Sequence, residues 1–241
     1  MKHIYQAALV AALGLATIPA AQAYTVGDLL VGFTSQSGND LIYDLGSASS
    51  LYNGETWSGL TSLLLADVNN ASGFGVGTTL GNLYWGVVGN GPNSGSPRTA
   101  YVTTVTGLIP DTITGISAFG KVNTADLAIA GNISSGATSA GQSASPAATA
   151  ANSWNVQTLS GSLTSNYKNA YENPNVLGIT TADFSSVLND GNTSTLLGQF
   201  TLGSDGSLTF NAVPEPSTYS LLASAGMLAA ILRARRNRAQ A

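Results

Sequence analysis

Short apolar runs alternate with clusters of Gly, Asn, Ser and Asp along most of the chain, a pattern that predicts many short β-strands joined by turns. Leu29–Phe33 and Leu41–Leu45 flank Ser35-Gln36-Ser37-Gly38-Asn39 and predict a hairpin with a longer loop. Leu83–Val88 is rich in aromatic and β-branched residues and predicts a buried strand. It should stop at Gly89-Asn90-Gly91-Pro92, a run that cannot continue a ladder. Tyr101–Val105 predicts a further strand. Towards the end, Phe200 and Leu202 alternate with Thr201, and Leu208 and Phe210 alternate with Thr209. A three-residue loop, Ser204-Asp205-Gly206, would set Leu202 opposite Leu208 and Phe200 opposite Phe210, so that all four share one face. Gly206 then takes the left-handed position such a loop requires, whereas a two-residue Asp-Gly turn would mix the faces.

Two stretches break the strand pattern. Leu60, Leu63, Leu64 and Val68 have helical spacing and predict one or two turns of helix. Gly131–Asn152 is almost entirely Gly, Ala, Ser and Thr around Pro146, and reads as a long insertion: a surface loop, or a weak helix over Ala147–Ala151. No repeat at solenoid or propeller period is present. The predicted fold class is mainly β, an antiparallel β-sandwich or jelly-roll-like body.

The two ends carry different signals. Lys2 and His3 precede an apolar run, Ala7–Ile18, closed by Pro19 and then by Ala21-Gln22-Ala23. This is the layout of a signal helix with a small-x-small site for signal peptidase, so Ala21 and Ala23 mark the cleavage site and Tyr24 the mature start. At the other end, Pro214, Glu215 and Pro216 lead into an apolar stretch, Thr218–Leu232, followed by Arg233, Arg235, Arg236 and Arg238. Ser217 is placed to cap the helix this stretch predicts. Fifteen residues rise about 22 Å, short of a hydrocarbon core of about 30 Å, so this transmembrane helix would need local thinning of the bilayer. The arginines should stay cytoplasmic and leave the preceding body on the exported side. Three segments are therefore expected: a signal peptide at 1–23, a β-rich exported domain at 24–212, and an anchor segment at 213–238.

The Pro-Glu-Pro triplet, short hydrophobic helix and arginine cluster, in that order, resemble the PEP-CTERM sorting domain of Gram-negative bacteria. The resemblance spans Val213 to about Arg238, roughly a tenth of the chain. It implies recognition by exosortase, a membrane protease-transpeptidase that acts near Pro214, Glu215 and Pro216. It also implies a transient hold in the inner membrane with the body in the periplasm, then delivery to the cell surface or extracellular matrix, in company with exopolysaccharide or biofilm. Gly27–Phe33 and Leu197–Leu202 look like segments of uncharacterised members of the same group, which adds nothing about activity.

Charge changes the picture once the ends are set aside. The whole chain carries 8 basic and 12 acidic residues, but between Tyr24 and Val213 only Arg98, Lys121 and Lys168 face eleven acids, a net of −8. Such a surface repels phosphate backbones, and nucleic acid is not an expected partner. There is no cysteine, so the exported body must hold together on its core alone. The sole histidine, His3, belongs to the signal peptide, which leaves the mature chain without His-based triads, His or Cys zinc sites or thiol nucleophiles.

Carboxylates are the remaining catalytic option. Asp40 and Asp44 should share a strand face about 13 Å apart, beyond the roughly 5–9.5 Å used in glycoside hydrolysis. Asp67-Val68-Asn69-Asn70 and Asp190-Gly191-Asn192 are oxygen-rich but lack calcium-loop spacing, so no metal and no cofactor is expected. Trp57, Trp154 and Tyr171 lie in polar surroundings and are candidate sugar-contact residues, while Trp85 reads as core. The expected function is a non-catalytic structural or adhesive role at the cell surface. The alternatives are a carbohydrate-binding module or a carboxylate-dependent secreted hydrolase.

Overall fold

A computed structural model describes residues 26–69, 78–91, 98–107, 118–134, 141–160, 174–189 and 194–213, together with Met227. Ten strands form one antiparallel sheet among these residues: β1 (Asp28–Thr34), β2 (Leu41–Ser47), β3 (Glu55–Trp57), β4 (Tyr84–Asn90), β5 (Thr99–Val105), β6 (Ser143–Ala144), β7 (Val176–Leu177), β8 (Thr181–Leu188), β9 (Ser194–Leu202) and β10 (Leu208–Ala212). Their order is β3-β10-β9-β8-β5-β4-β1-β2-β6, with β7 added to β4 where β5 diverges. Two helices accompany the sheet, α1 (Gly59–Asn69) and α2 (Ala118–Ser134).

The predicted hairpins form as the patterning requires. β1 pairs with β2 across the Ser35–Asn39 loop. In the closing hairpin Leu202 faces Leu208 and Phe200 faces Phe210. Gly203 N–H donates to the Ser207 carbonyl at 2.8 Å, leaving the three-residue loop, and Gly206 has φ +82°. The helix at Leu60 is longer than predicted, eleven residues. β4 runs on through Gly89 and Asn90, which pair with Tyr101 and Ala100 instead of ending the ladder.

The sheet curls into a half-barrel, and its two faces carry different cores. Leu29, Val31 and Phe33 of β1 point inward with Trp85 and Val87 of β4, Phe184, Phe200, Leu208 and Phe210, and with Leu60 and Leu64 of α1. Phe184, Phe200 and Phe210 meet with ring centroids 5.0–5.9 Å apart, a dry aromatic cluster at the centre. Trp57 on β3 donates its indole N–H to the Leu45 carbonyl on β2 at 3.2 Å, so strands near opposite ends of the sheet order touch. That bond shows the extent of the curl: β3 and β2 are seven places apart in the sheet order yet share a hydrogen bond.

The outer face is covered over β1, β2, β4 and β5. There Leu30, Ile42, Val88, Ala100 and Val102 pack beneath Phe119, Val122, Ala125, Ile129 and Ile133 of α2, with Trp154 beside them. A sandwich is therefore not what forms. The near-continuous apolar run of β1 does signal burial on both faces, but the second layer is a helix and an irregular segment, not a second sheet. Helix α2 escapes pattern reading because Gly120, Asn123, Thr124, Gly131 and Asn132 dilute a one-sided apolar stripe. Its last residues, Gly131–Ser134, belong to the stretch predicted as an insertion. Ala147–Ala151 forms turns and not a helix, and Ala148 is buried. No described helix is long and apolar enough to cross a membrane; the predicted signal helix and transmembrane helix lie outside the described residues, save Met227.

Two glycines let the outer layer lie flat. Gly32 on β1 faces Gly86 on β4 across the ladder. A Cβ on Gly32 would sit 1.9 Å from the Trp154 ring, and one on Gly86 would sit 2.1 Å from the Pro174 carbonyl oxygen. Trp154 is fully buried and donates its indole N–H to Asn175 Oδ1 at 2.7 Å. Thr103 Oγ1 donates to the Pro174 carbonyl at 2.7 Å, tying the same strap to β5. Gly32→Ala should therefore lower the unfolding free energy by about 3 kcal/mol, because the large Trp154 ring has nowhere to move. Gly131→Ala, in open space on exposed α2, should raise it by about 0.5–1 kcal/mol. Denaturant unfolding of both variants checks the pair, and equal effects would refute the packing argument.

Candidate functional site

The chain leaves the sheet at the end of β10, immediately before Pro214. Asn211 pairs with Gln199 and Ala212 with Gly198. One residue later Val213 N–H still donates to the Leu197 carbonyl at 3.0 Å. On the other side β3 accompanies β10 through Phe210, where Gly54 N–H donates to the Phe210 carbonyl at 2.8 Å. Beyond the end of β3 the Asn53 side chain takes over, its Oδ1 accepting the Ala212 N–H at 3.0 Å. The Asn53-Gly54 turn, with Gly54 at φ +84°, brings that amide alongside. The outgoing backbone is thus held from both sides up to the residue that precedes the triplet.

Of the residues predicted from sequence, Ala21, Ala23 and Tyr24, the triplet Pro214, Glu215 and Pro216, and Arg233, Arg235, Arg236 and Arg238 lie outside the described residues, as does Tyr171. Trp154 is a correction: with no exposed surface it cannot present a ring to sugar, and its polar sequence surroundings are a strap folded over β1. Trp57 is half-buried, packed 5.9 Å from Phe200, with its N–H committed to Leu45. The three candidate contacts do not assemble into a described aromatic face. Asn53 was not singled out by sequence reading. Its Asn-Gly context signals a turn, but its partner stands 159 residues away.

Asp40 and Asp44 do project to the same side of β2, and both are fully buried. Asp40 Oδ2 accepts the Asn155 N–H at 2.6 Å, which pins the Trp154 strap to β2. Asp44 Oδ1 accepts the Gly46 N–H at 2.8 Å, a local turn contact. Burial pushes the Asp40 carboxyl above its usual range despite these bonds. Burial likewise raises Asp44, helped by the negative charge of Asp28, to about 6. Deeper under α2, Asn90 on β4 donates to Asp126 Oδ2 at 2.7 Å. Asp40 and Asp126 thus tie the outer layer to the sheet, while Asp44 secures only its own turn. Among the described residues no group of three or more His, Cys, Asp or Glu could hold a metal; Asp67–Asn69 close α1, and Asp190-Gly191-Asn192 lies outside.

Two surfaces remain open among the described residues. Over β8, β9, β10 and β3 the outer face carries a straight row of Thr181, Thr201, Thr209 and Thr56, one from each strand in register. Thr181 and Thr201 hydroxyls lie 3.0 Å apart, and Thr56 and Thr209 lie 3.1 Å apart. Asp183, Gln199 and Asn211 form the next row. The second surface is a shallow cleft of about 360 Å³ where β7 parts β4 from β5, lined by Tyr84, Val105, Asn175, Leu177, Thr180 and Thr181. Its walls are mostly apolar, with Leu177 53% and Val105 47% exposed.

Comparison with known proteins bears on the end of the chain. Residues 212–236 match the PEP-CTERM protein-sorting motif. The chain therefore carries a PEP-CTERM sorting domain. No curated protein and no solved structure matches it. The motif implies an exported protein, transiently anchored in a membrane and processed by exosortase. The match begins at Ala212, inside β10, so fold and sorting signal overlap by two residues that are hydrogen-bonded into the sheet.

The raised carboxyls set a pH dependence. Asp44 in the folded chain holds its proton up to about pH 6, against 3.8 for an ordinary aspartate. Folding therefore favours the protonated form, and stability falls as pH rises from the lower value through the higher one. Asp40 acts in the same direction. Asp44→Asn keeps an acceptor for Gly46 N–H and removes the charge, so it should flatten this fall. Urea midpoints between about pH 4 and about pH 7 check it. A variant with the wild-type slope would show that Asp44 is not the group responsible.

Proposed function

We propose that this exported PEP-CTERM protein is a non-catalytic surface or matrix component with a structural or adhesive role in exopolysaccharide or biofilm. The sorting motif at 212–236 carries this reading, because it delivers the body to the compartment where such matrix is built. Several features of the body support it. The buried carboxyls are engaged within the fold, Asp40 holding the Trp154 segment to β2 and Asp44 the Gly46 turn, and both are sealed from solvent. The open threonine row presents neutral hydroxyls in register across four strands, chemistry suited to exchanging hydrogen bonds with polyhydroxy polymers.

A carbohydrate-binding module is the second reading, and the cleft beside β7 favours it, since its apolar walls and threonine hydroxyls offer both elements a sugar ring requires. A hydrolase working with carboxylates is a weaker third, because the strand carboxylates proposed for it are those that secure the Trp154 strap and the Gly46 turn.

Two experiments test these statements. Replacing Pro214, Glu215 and Pro216 together by Ala should leave the tail attached and the protein in the membrane fraction of a host with exosortase; normal release would overturn the sorting role. Incubating the released protein with a panel of polysaccharides should give retention on a neutral exopolysaccharide without sugar release. Soluble sugar products would favour the hydrolase, and saturable retention abolished by Leu177→Asp would favour the binding module.

A further inference from the structure

We propose that Asn53 is a site of spontaneous covalent modification, where the folded protein converts a side-chain amide to aspartate and isoaspartate. The chemistry belongs to the Asn53-Gly54 pair. The backbone nitrogen of Gly54, on losing its proton, attacks the side-chain carbonyl carbon of Asn53. A nitrogen–carbon bond forms there, the bond to Nδ2 breaks, and ammonia leaves with the proton. Glycine favours this attack because it has no Cβ to shield its nitrogen. Water then opens the cyclic succinimide. Attack at the side-chain carbonyl gives aspartate; attack at the main-chain carbonyl gives isoaspartate, whose backbone runs through the former side chain. No oxidant, reductant or enzyme is required, and the proposal does not depend on what the body binds.

The chain has two Asn-Gly pairs, Asn53-Gly54 and Asn90-Gly91, and the fold treats them differently. Asn90 lies within β4, 2% exposed, and donates its side-chain amide to Asp126 Oδ2 at 2.7 Å beneath α2. Its backbone is in register with Ala100, and Gly91 N–H donates to the Thr99 carbonyl at 2.7 Å. Ring closure there requires β4 to part from β5 and from the layer above, an opening close to global unfolding. Asn53 and Gly54 are both exposed, in the turn that precedes β3, a three-residue strand at the edge of the sheet. Two bonds restrain the reacting groups: Gly54 N–H donates to the Phe210 carbonyl at 2.8 Å, and Asn53 Oδ1 accepts the Ala212 N–H at 3.0 Å. Both lie at the last rung of the β3–β10 ladder, where openings are local and frequent. Asp205-Gly206 is the corresponding acid pair, but an ionised carboxylate is a poor electrophile, and Asp205 Oδ1 is engaged by the N–H and hydroxyl of Ser207. The product matters to the sheet. Aspartate keeps an oxygen for the Ala212 N–H, whereas isoaspartate adds a methylene to the main chain and moves the acceptor away.

Peptide mapping by mass spectrometry tests this on the full chain, purified folded and held in warm, mildly alkaline buffer, beside the same chain in concentrated urea. In urea both Asn-Gly pairs should convert at matching rates, since each then has only its local sequence. In the folded chain Asn53 should convert at least about tenfold faster than Asn90, because its opening is local. The Ala212 amide should lose protection from hydrogen exchange in the isoaspartyl fraction and keep it in Asn53→Asp. Folded chain that shows no conversion at Asn53, or conversion at Asn90 as fast as at Asn53, would overturn the proposal. Unchanged protection of Ala212 in the isoaspartyl fraction would overturn the consequence drawn for the sheet.

Discussion

Burial of β1 and β4 on both faces is the constraint on which the other parts depend. A chain without cysteine gains its stability from what it covers, and these two strands are covered by α1 and the aromatic cluster inside and by α2 and Trp154 outside. Antiparallel sheets more often leave one face to water. Covering both demands close approach of the outer layer, which the facing pair Gly32 and Gly86 permits by leaving the sheet bare of side chains at one spot. The indole of Trp154 fills that spot, and Asp40, Asn175 and Thr103 hold the surrounding strap by hydrogen bonds to groups it would otherwise bury unpaired.

The curl follows from the inner core. Side chains from β1, β2, β4, β8, β9 and β10 converge in one cluster with Leu60 and Leu64 of α1, and the curled sheet wraps round that cluster. The bond from Trp57 to Leu45 shows how far the bend goes. By placing β3 outside β10, the same curl turns the last strand into an inner one for most of its length. A terminal strand so enclosed is unusually well anchored for a segment that hands directly over to a sorting signal. Ala212 and Val213, the first residues of the sorting match, are thus hydrogen-bonded into the sheet.

The perturbed carboxyls, Asp40 and Asp44, owe their shifts mainly to burial, and one oxygen of each accepts a backbone amide of the protein itself. A raised carboxyl in a cleft would mean poised acid or base; a raised carboxyl in a sealed layer means a strut that is least costly when protonated. The open surfaces are the threonine row, with Asp183 in the row beside it, and the adjoining cleft at β7, which shares Thr181.

Sequence alone determined those features that depend on neighbours: the alternating strands of β9 and β10, the three-residue loop with Gly206, the β1–β2 hairpin, and the ordered triplet, apolar stretch and arginines of the sorting tail. Each is set by spacing over a few residues, where pattern and outcome coincide. Tertiary structure alone decided what the second layer is, whether Trp154 is inside or out, and what holds Ala212. α2 is diluted by glycine and asparagine and is stabilised by the sheet it covers, so its helicity is a property of the contact and not of its own residues. Trp154 sits among polar neighbours in sequence but beside Gly32 in space, and Asn53 meets its partner only after the sheet has closed. Such partners lie far apart along the chain, and no local period records them.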